Sequence, residues 1–203
     1  MPRPGLCLRR RLAIGLVIVV AGCSSAAASF DPGSACTGDG RFPGAYPQLE
    51  ALVPTSLGGR PADRLDSGRS CTDAALTTLK SHGVRELRFA GGLWEQGANS
   101  GTTLVTFDSP TPVDAKWIAE FYEAGARAGK NTDAIETATL TIAGSTGYRL
   151  DTLNGDSYQT VIVWPQAGHV VGVLVASAVR EVETRAAHEA RVTAALAALG
   201  GSR

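Results

Sequence analysis

The chain has 203 residues, 44% apolar and 19% charged, a balance that excludes a disordered polymer and allows one ordinary domain with a real core. Its 19 basic and 19 acidic residues cancel formally, yet Arg3, Arg9, Arg10 and Arg11 all lie in the first 22 residues, which hold no Asp or Glu. The remainder carries 15 basic and 19 acidic residues, a mildly acidic body without a basic stripe, which argues against nucleic acid as a partner and against binding anionic lipid through a polybasic surface.

The amino terminus carries the strongest signal. After the arginines comes a short apolar run, Leu12 to Val20, then Ala21, Gly22 and Cys23. A basic segment, a short apolar segment and a small-residue site describe a secretory signal peptide over residues 1–22. Stretched to Gly22 the run has 11 residues. At about 1.5 Å per helical residue it covers roughly half of a ~30 Å hydrocarbon core, too little for a membrane span.

Val20-Ala21-Gly22-Cys23 resembles the lipobox of bacterial lipoproteins. The resemblance implies that the Cys23 thiol is acylated with diacylglycerol and that the chain is cut just before it. Two or three acyl chains, palmitate among them, give a stable anchor where one gives a marginal one. The expected location is the cell membrane or the outer membrane, with the body on the extracytoplasmic side. Ser24 in place of Asp favours the outer membrane in a double-membrane bacterium.

Of four cysteines, Cys7 leaves with the signal and Cys23 takes the lipid. Cys36 and Cys71 remain, in a compartment that permits disulfides. A bridge between them closes a loop of about 35 residues, worth roughly 3–4 kcal/mol by chain entropy. Residues 23–45, rich in Ser, Ala, Gly and Pro, read as a flexible tether. The globular domain is expected over 46–203.

Within that domain a short apolar helical turn is expected at 49–54 and a first strand near 60–66. Thr72 or Asp73 caps a helix with Leu76 and Leu79 on its apolar face, and Gly83 ends it. Residues 84–94 alternate as a strand, with 102–107 as its hairpin partner. A helix over 113–128 places Trp117, Ile118, Phe121 and Tyr122 on one face. Four strands follow at 137–142, 147–153, 158–164 and 170–177, turning at 143–146, Asn154-Gly155-Asp156 and 165–168. A last helix over 181–199 presents Val192, Leu196 and Leu199. The strand over 170–176 is apolar on both faces and is expected to be central. The fold class is therefore α+β: an antiparallel sheet of about six or seven strands, two long helices on one face, and a short helix near the start. Hairpin-plus-helix occurs twice, at 84–128 and 158–199.

Few residue patterns point to chemistry. Gly144-Ser145-Thr146-Gly147 comes within one residue of a nucleophile elbow, but an elbow needs a helix after it, and here a strand follows. Ser145 with His169 or His188 is the hydrolase alternative, and no catalytic residue is assigned. His82, His169 and His188 show no metal spacing. His188-Glu189 begins like H-E-x-x-H, but Val192 stands where the second ligand belongs. His82 is expected at a helix end, His169 at a hairpin exit and His188 on an exposed helix face. No metal or cofactor is expected. Trp94 and Trp164, at strand ends beside turns, are the candidates for a partner-contact patch.

The body, in Leu49–Pro61 and Tyr158–Ser177, resembles exported lipoproteins of actinobacteria and related high-GC bacteria. That resemblance implies an anchored α+β domain and brings no catalytic residues. A weaker likeness, to PsbP-like lipoproteins, concerns architecture alone. The expected role is a non-enzymatic binding or assembly module of the cell envelope, held to the membrane by its lipid, whose partner is another envelope protein or a small apolar ligand.

Overall fold

The computed structural model describes residues 30–97, 99–182 and 184–200. The expected signal peptide and Cys23 lie outside the described residues. The chain forms strand β1 (Gly40–Phe42), helix α1 (Pro47–Glu50), a small ribbon of β2 (Ser56–Leu57) and β3 (Arg60–Pro61), and strand β4 (Arg64–Ser70). Helix α2 (Asp73–Leu76) runs into a 3₁₀ turn, Thr77–His82. Then come β5 (Leu87–Gly97), β6 (Ser100–Asp108), α3 (Ala115–Ala128), β7 (Thr132–Ile142), β8 (Ser145–Asn154), β9 (Ser157–Gln166) and β10 (His169–Ala178). Helices α4 (Val179–Val182) and α5 (Arg185–Gly200) close the described chain.

Eight strands make one sheet in the order β1-β4-β5-β6-β10-β9-β8-β7, with every neighbouring pair antiparallel. The last strand in sequence, β10, thus fills the middle. Local chemistry sets the breaks. The Thr72 hydroxyl accepts from the Ala75 amide at 3.2 Å, and Gly83 adopts the left-handed conformation at φ 81°. Ala143-Gly144 and Ala167-Gly168 both have positive φ at each loop position, the turn geometry whose twist matches the flanking strands.

The expected antiparallel α+β class holds, but the sheet is larger and the helix arrangement differs. The two long helices lie on opposite faces. One face packs Leu79, Phe89, Phe107, Val163 and Leu174 against Ile118 of α3. The other packs Leu104, Ile162, Trp164 and Val173 against Leu49 of α1 and Val192 and Ala195 of α5. The physical reason lies in the central strands. Val161, Ile162, Val163 and Trp164 alternate between the two clusters, so both faces of β9 are apolar and both need a cover. Helix α3 covers β8 and β9, whereas α5 lies mainly on its own hairpin strand β10. The two hairpin-plus-helix units therefore dock differently.

Candidate functional site

The segment expected as tether is folded from residue 30 onward. Strand β1 pairs with β4 through Gly40↔Arg69, Arg41↔Gly68 and Phe42↔Ser67. Arg69, only 3% exposed, organises the loop before it. Its guanidinium donates to the carbonyls of Asp31, Pro32, Ser34 and Ala35 at 3.3, 3.4, 2.8 and 3.1 Å, and to Ser34 Oγ at 3.0 Å. It also stands 5.2 Å from the ring centre of Phe30 and 3.9 Å from the Glu86 carboxylate. A buried guanidinium is tolerated when acceptors surround its fork, and here a loop of carbonyls wraps it.

Two further ties hold the same segment. Cys36 and Cys71 form a disulfide across a Cα–Cα distance of 5.5 Å, as the cysteine arithmetic implies. Asp39 accepts from the amides of Cys71 and Thr72 at 2.6 and 2.9 Å and from the Thr72 hydroxyl at 2.6 Å. Burial pushes the Asp39 carboxyl up, but the amide of Cys71, the hydroxyl of Thr72 and its amide outweigh this and hold it below the usual carboxylate range.

A polar lattice lies under α5. His188, expected on an exposed face, is fully buried. It shares a face with Val192 and Ala195, four and seven residues on, and these pack on the sheet. Its Nε2 lies 2.9 Å from Thr160 Oγ1 and its Nδ1 lies 3.0 Å from Ser177 Oγ. Thr160 donates onward to Asp151. Arg149 grips Asp151 with two bonds of 2.6 and 2.9 Å and reaches Glu189 on α5 at 2.6 Å. Arg185 stands 3.3 Å from Asp151, and Arg191 donates to Ser177 at 3.3 Å. Burial of the imidazole drives the His188 pKa down to about 4. Asp151 is held below its ordinary value: burial raises it, but the hydrogen bonds from Arg149 and Thr160 and the charges of Arg149 and Arg185 outweigh that. The Arg149 guanidinium is raised, chiefly by its hydrogen bond to Asp151.

An open groove of about 380 Å³ runs between α3 and the β7–β8 edge, walled by Lys116, Glu120 and Glu123 and floored by Thr137, Thr139 and Tyr148. At the end of the 3₁₀ turn, as expected, His82 stacks on Trp117 at 4.7 Å and meets Glu120 at 2.8 Å. The arrangement offers hydroxyls and carboxylates for polar contact along an exposed strand.

The residues singled out from sequence are placed as follows. Trp94 and Trp164 are 1% and 2% exposed and sit in the core, so they form no exposed patch. Each ring satisfies its N–H inside the fold, Trp94 on the Arg60 carbonyl at 2.9 Å and Trp164 on the Gln166 side chain at 3.0 Å. Ser145 opens strand β8 directly after the Ala143-Gly144 turn, without the strand-to-helix bend of an elbow. Both nitrogens of His188 are engaged by Thr160 and Ser177 rather than by Ser145. His169 stands at the β9–β10 hairpin exit, 3.8 Å from Asp108. Among the described residues no cluster of three or more His, Cys, Asp or Glu has the arrangement to hold a metal ion, and no helix is long and apolar enough to cross a membrane. No protein-family model matches the chain, and no curated protein matches it in sequence.

Proposed function

We propose that the chain is an exported lipoprotein, acylated on Cys23, whose α+β body serves as a non-enzymatic binding or assembly module on the extracytoplasmic side of a bacterial membrane. One observation carries the exported part of this reading: the Cys36–Cys71 disulfide, which ties the N-terminal segment to the start of α2. Such a bridge is stable in oxidising compartments and rare in reducing ones. It also uses two of the four cysteines, leaving Cys23 as the thiol that follows the small residues of the lipobox. The binding role rests on shape. The interior is packed on both sheet faces, and the groove beside α3 offers polar side chains along a strand edge.

The test is expression of the full chain in a lipoprotein-processing bacterium. Mass spectrometry of the amino-terminal peptide is expected to find diacylglyceryl-cysteine at position 23. The wild type is expected in the membrane fraction and Cys23→Ser in the soluble fraction. Equal membrane association of the two would overturn the reading.

A further inference from the structure

We propose that the face formed by Phe42, Leu52 and Leu65 lies against the lipid surface to which the chain is anchored. This rests on the reading of Cys23 as the lipidated residue. These three are the large apolar side chains left exposed among the described residues, at 39%, 49% and 39%. Phe42 and Leu65 are neighbours. Phe42 is the register partner of Ser67, and Leu65 is two residues along the same strand, so the two are diagonal neighbours on one sheet face. Leu65 in turn pairs with Gly92, and a Cβ on Gly92 would lie 3.1 Å from the side chain of Val53. Val53, the residue after Leu52, therefore lies over the same sheet face as Leu65.

The length and exit point of the preceding chain choose the occupant. Because residues 30–45 are folded, the link between Cys23 and the body is seven residue steps, at most about 25 Å when fully extended. It reaches the fold at Phe30, whose ring meets that of Phe42 edge-on at 5.6 Å. The anchor therefore enters beside the apolar face and holds it within reach of the bilayer. Three half-exposed side chains bury too little area to bind membrane from solution, but a short leash makes the contact intramolecular and raises its effective concentration. The rim is electrically balanced. Arg41, Arg60 and Arg64 face Asp63 and Asp66, with Glu50 taken up by Ser67 and the Gly44 amide. The contact is thus apolar and has no requirement for anionic lipid.

The full chain, processed in a bacterium and extracted from its membranes, is reconstituted into phosphatidylcholine vesicles. An environment-sensitive fluorophore is placed at Leu52→Cys or, as a control on the distant exposed edge strand, at Thr141→Cys. Nitroxide-bearing lipid is expected to quench the label at 52 and to leave that at 141 nearly untouched. Phe42→Ser with Leu65→Ser is expected to bring quenching at 52 down to the control level while the protein still floats with vesicles. Phosphatidylglycerol is expected to change neither result. Equal quenching at both positions, a dry label at 52 without lipid quenching (a protein cover), or contact only in anionic vesicles overturns the proposal while leaving the anchor intact. An amino-terminal peptide lacking acyl mass overturns the anchor reading and this inference with it.

Discussion

His188 Nε2 lies 2.9 Å from Thr160 Oγ1. Because Thr160 gives its own proton to Asp151, the bond runs from imidazole N–H to hydroxyl oxygen. Nδ1 is then an acceptor, taking the Ser177 hydroxyl proton at 3.0 Å, while Ser177 accepts from Arg191. The chain of donors is complete only for a neutral ring. It is a buried polar network with every listener supplied, which ties α5 to β8, β9 and β10.

That neutrality predicts an acid-sensitive stability. The folded pKa of His188 is lowered from 6.5 to about 4, so above pH 6.5 the residue contributes no pH dependence. Between pH 6.5 and about 4 the unfolded state binds a proton that the folded state refuses, and stability falls as pH falls. A lowering of this size corresponds to roughly 3 kcal/mol at the bottom of the window. Asp39 and Asp151, both held below ordinary carboxylate values, add a further loss as pH falls below the unfolded carboxylate range. Urea titrations at stepped pH are expected to show the first slope in wild type and its absence in His188→Gln.

Arg69→Ala is expected to lower stability by about 3–5 kcal/mol, because it leaves a ring of carbonyls without donors around an empty buried site, while Glu86 keeps Arg88. Arg69→Lys is not expected to restore it, since a point charge cannot serve acceptors spread around a planar fork. Limited proteolysis gives the local signature, with cleavage within residues 30–45 of the variant before global unfolding. Cleavage first elsewhere would contradict the clasp.

Removing the crosslink acts on the same segment by a different route. Cys36→Ala with Cys71→Ala is expected to cost roughly 3–4 kcal/mol in urea unfolding, mainly through freedom gained by the unfolded chain. Non-reduced wild-type protein is expected to yield the two cysteines in one linked peptide pair. Two free thiols there would contradict the bridge.

The hairpin turns invite a stabilising change. Ala143 and Ala167 hold φ at 47° and 51°, each ahead of a glycine that is also left-handed. Asparagine tolerates this conformation better than alanine. Ala143→Asn and Ala167→Asn are each expected to add about 0.5–1 kcal/mol, read as a rise in urea midpoint at unchanged slope. A fall would mean that the turn side chains make contacts that override backbone preference.

Much of the fold is legible in local sequence. Thr72 as cap, Gly83 as stop and the turns between β7, β8, β9 and β10 follow from backbone chemistry that a few residues decide. What escapes reading depends on partners far away in sequence. Strand β1 sits in a Gly- and Ser-rich stretch that looks unstructured until Arg69, 27 or more positions later, supplies its reason to fold. The burial of His188 was signalled by its spacing to Val192, but a polar ring masks an apolar stripe until Thr160 and Ser177 are seen to meet it. The two-sided helix cover was written in Val161–Trp164, four apolar residues in a row. Trp94 and Trp164 end apolar runs beside turns, and no local cue separates a rim position from the core they occupy.

The strand order has a consequence for assembly of the sheet. A chain that emerges amino end first can build β4-β5-β6 and β7-β8-β9 as separate half-sheets, each with an open inner border, because the piece that joins them is β10. Closure waits for residues 169–178 to arrive. Until then both borders are open templates for another strand, so the interval before β10 arrives is when the chain is most exposed to wrong pairing.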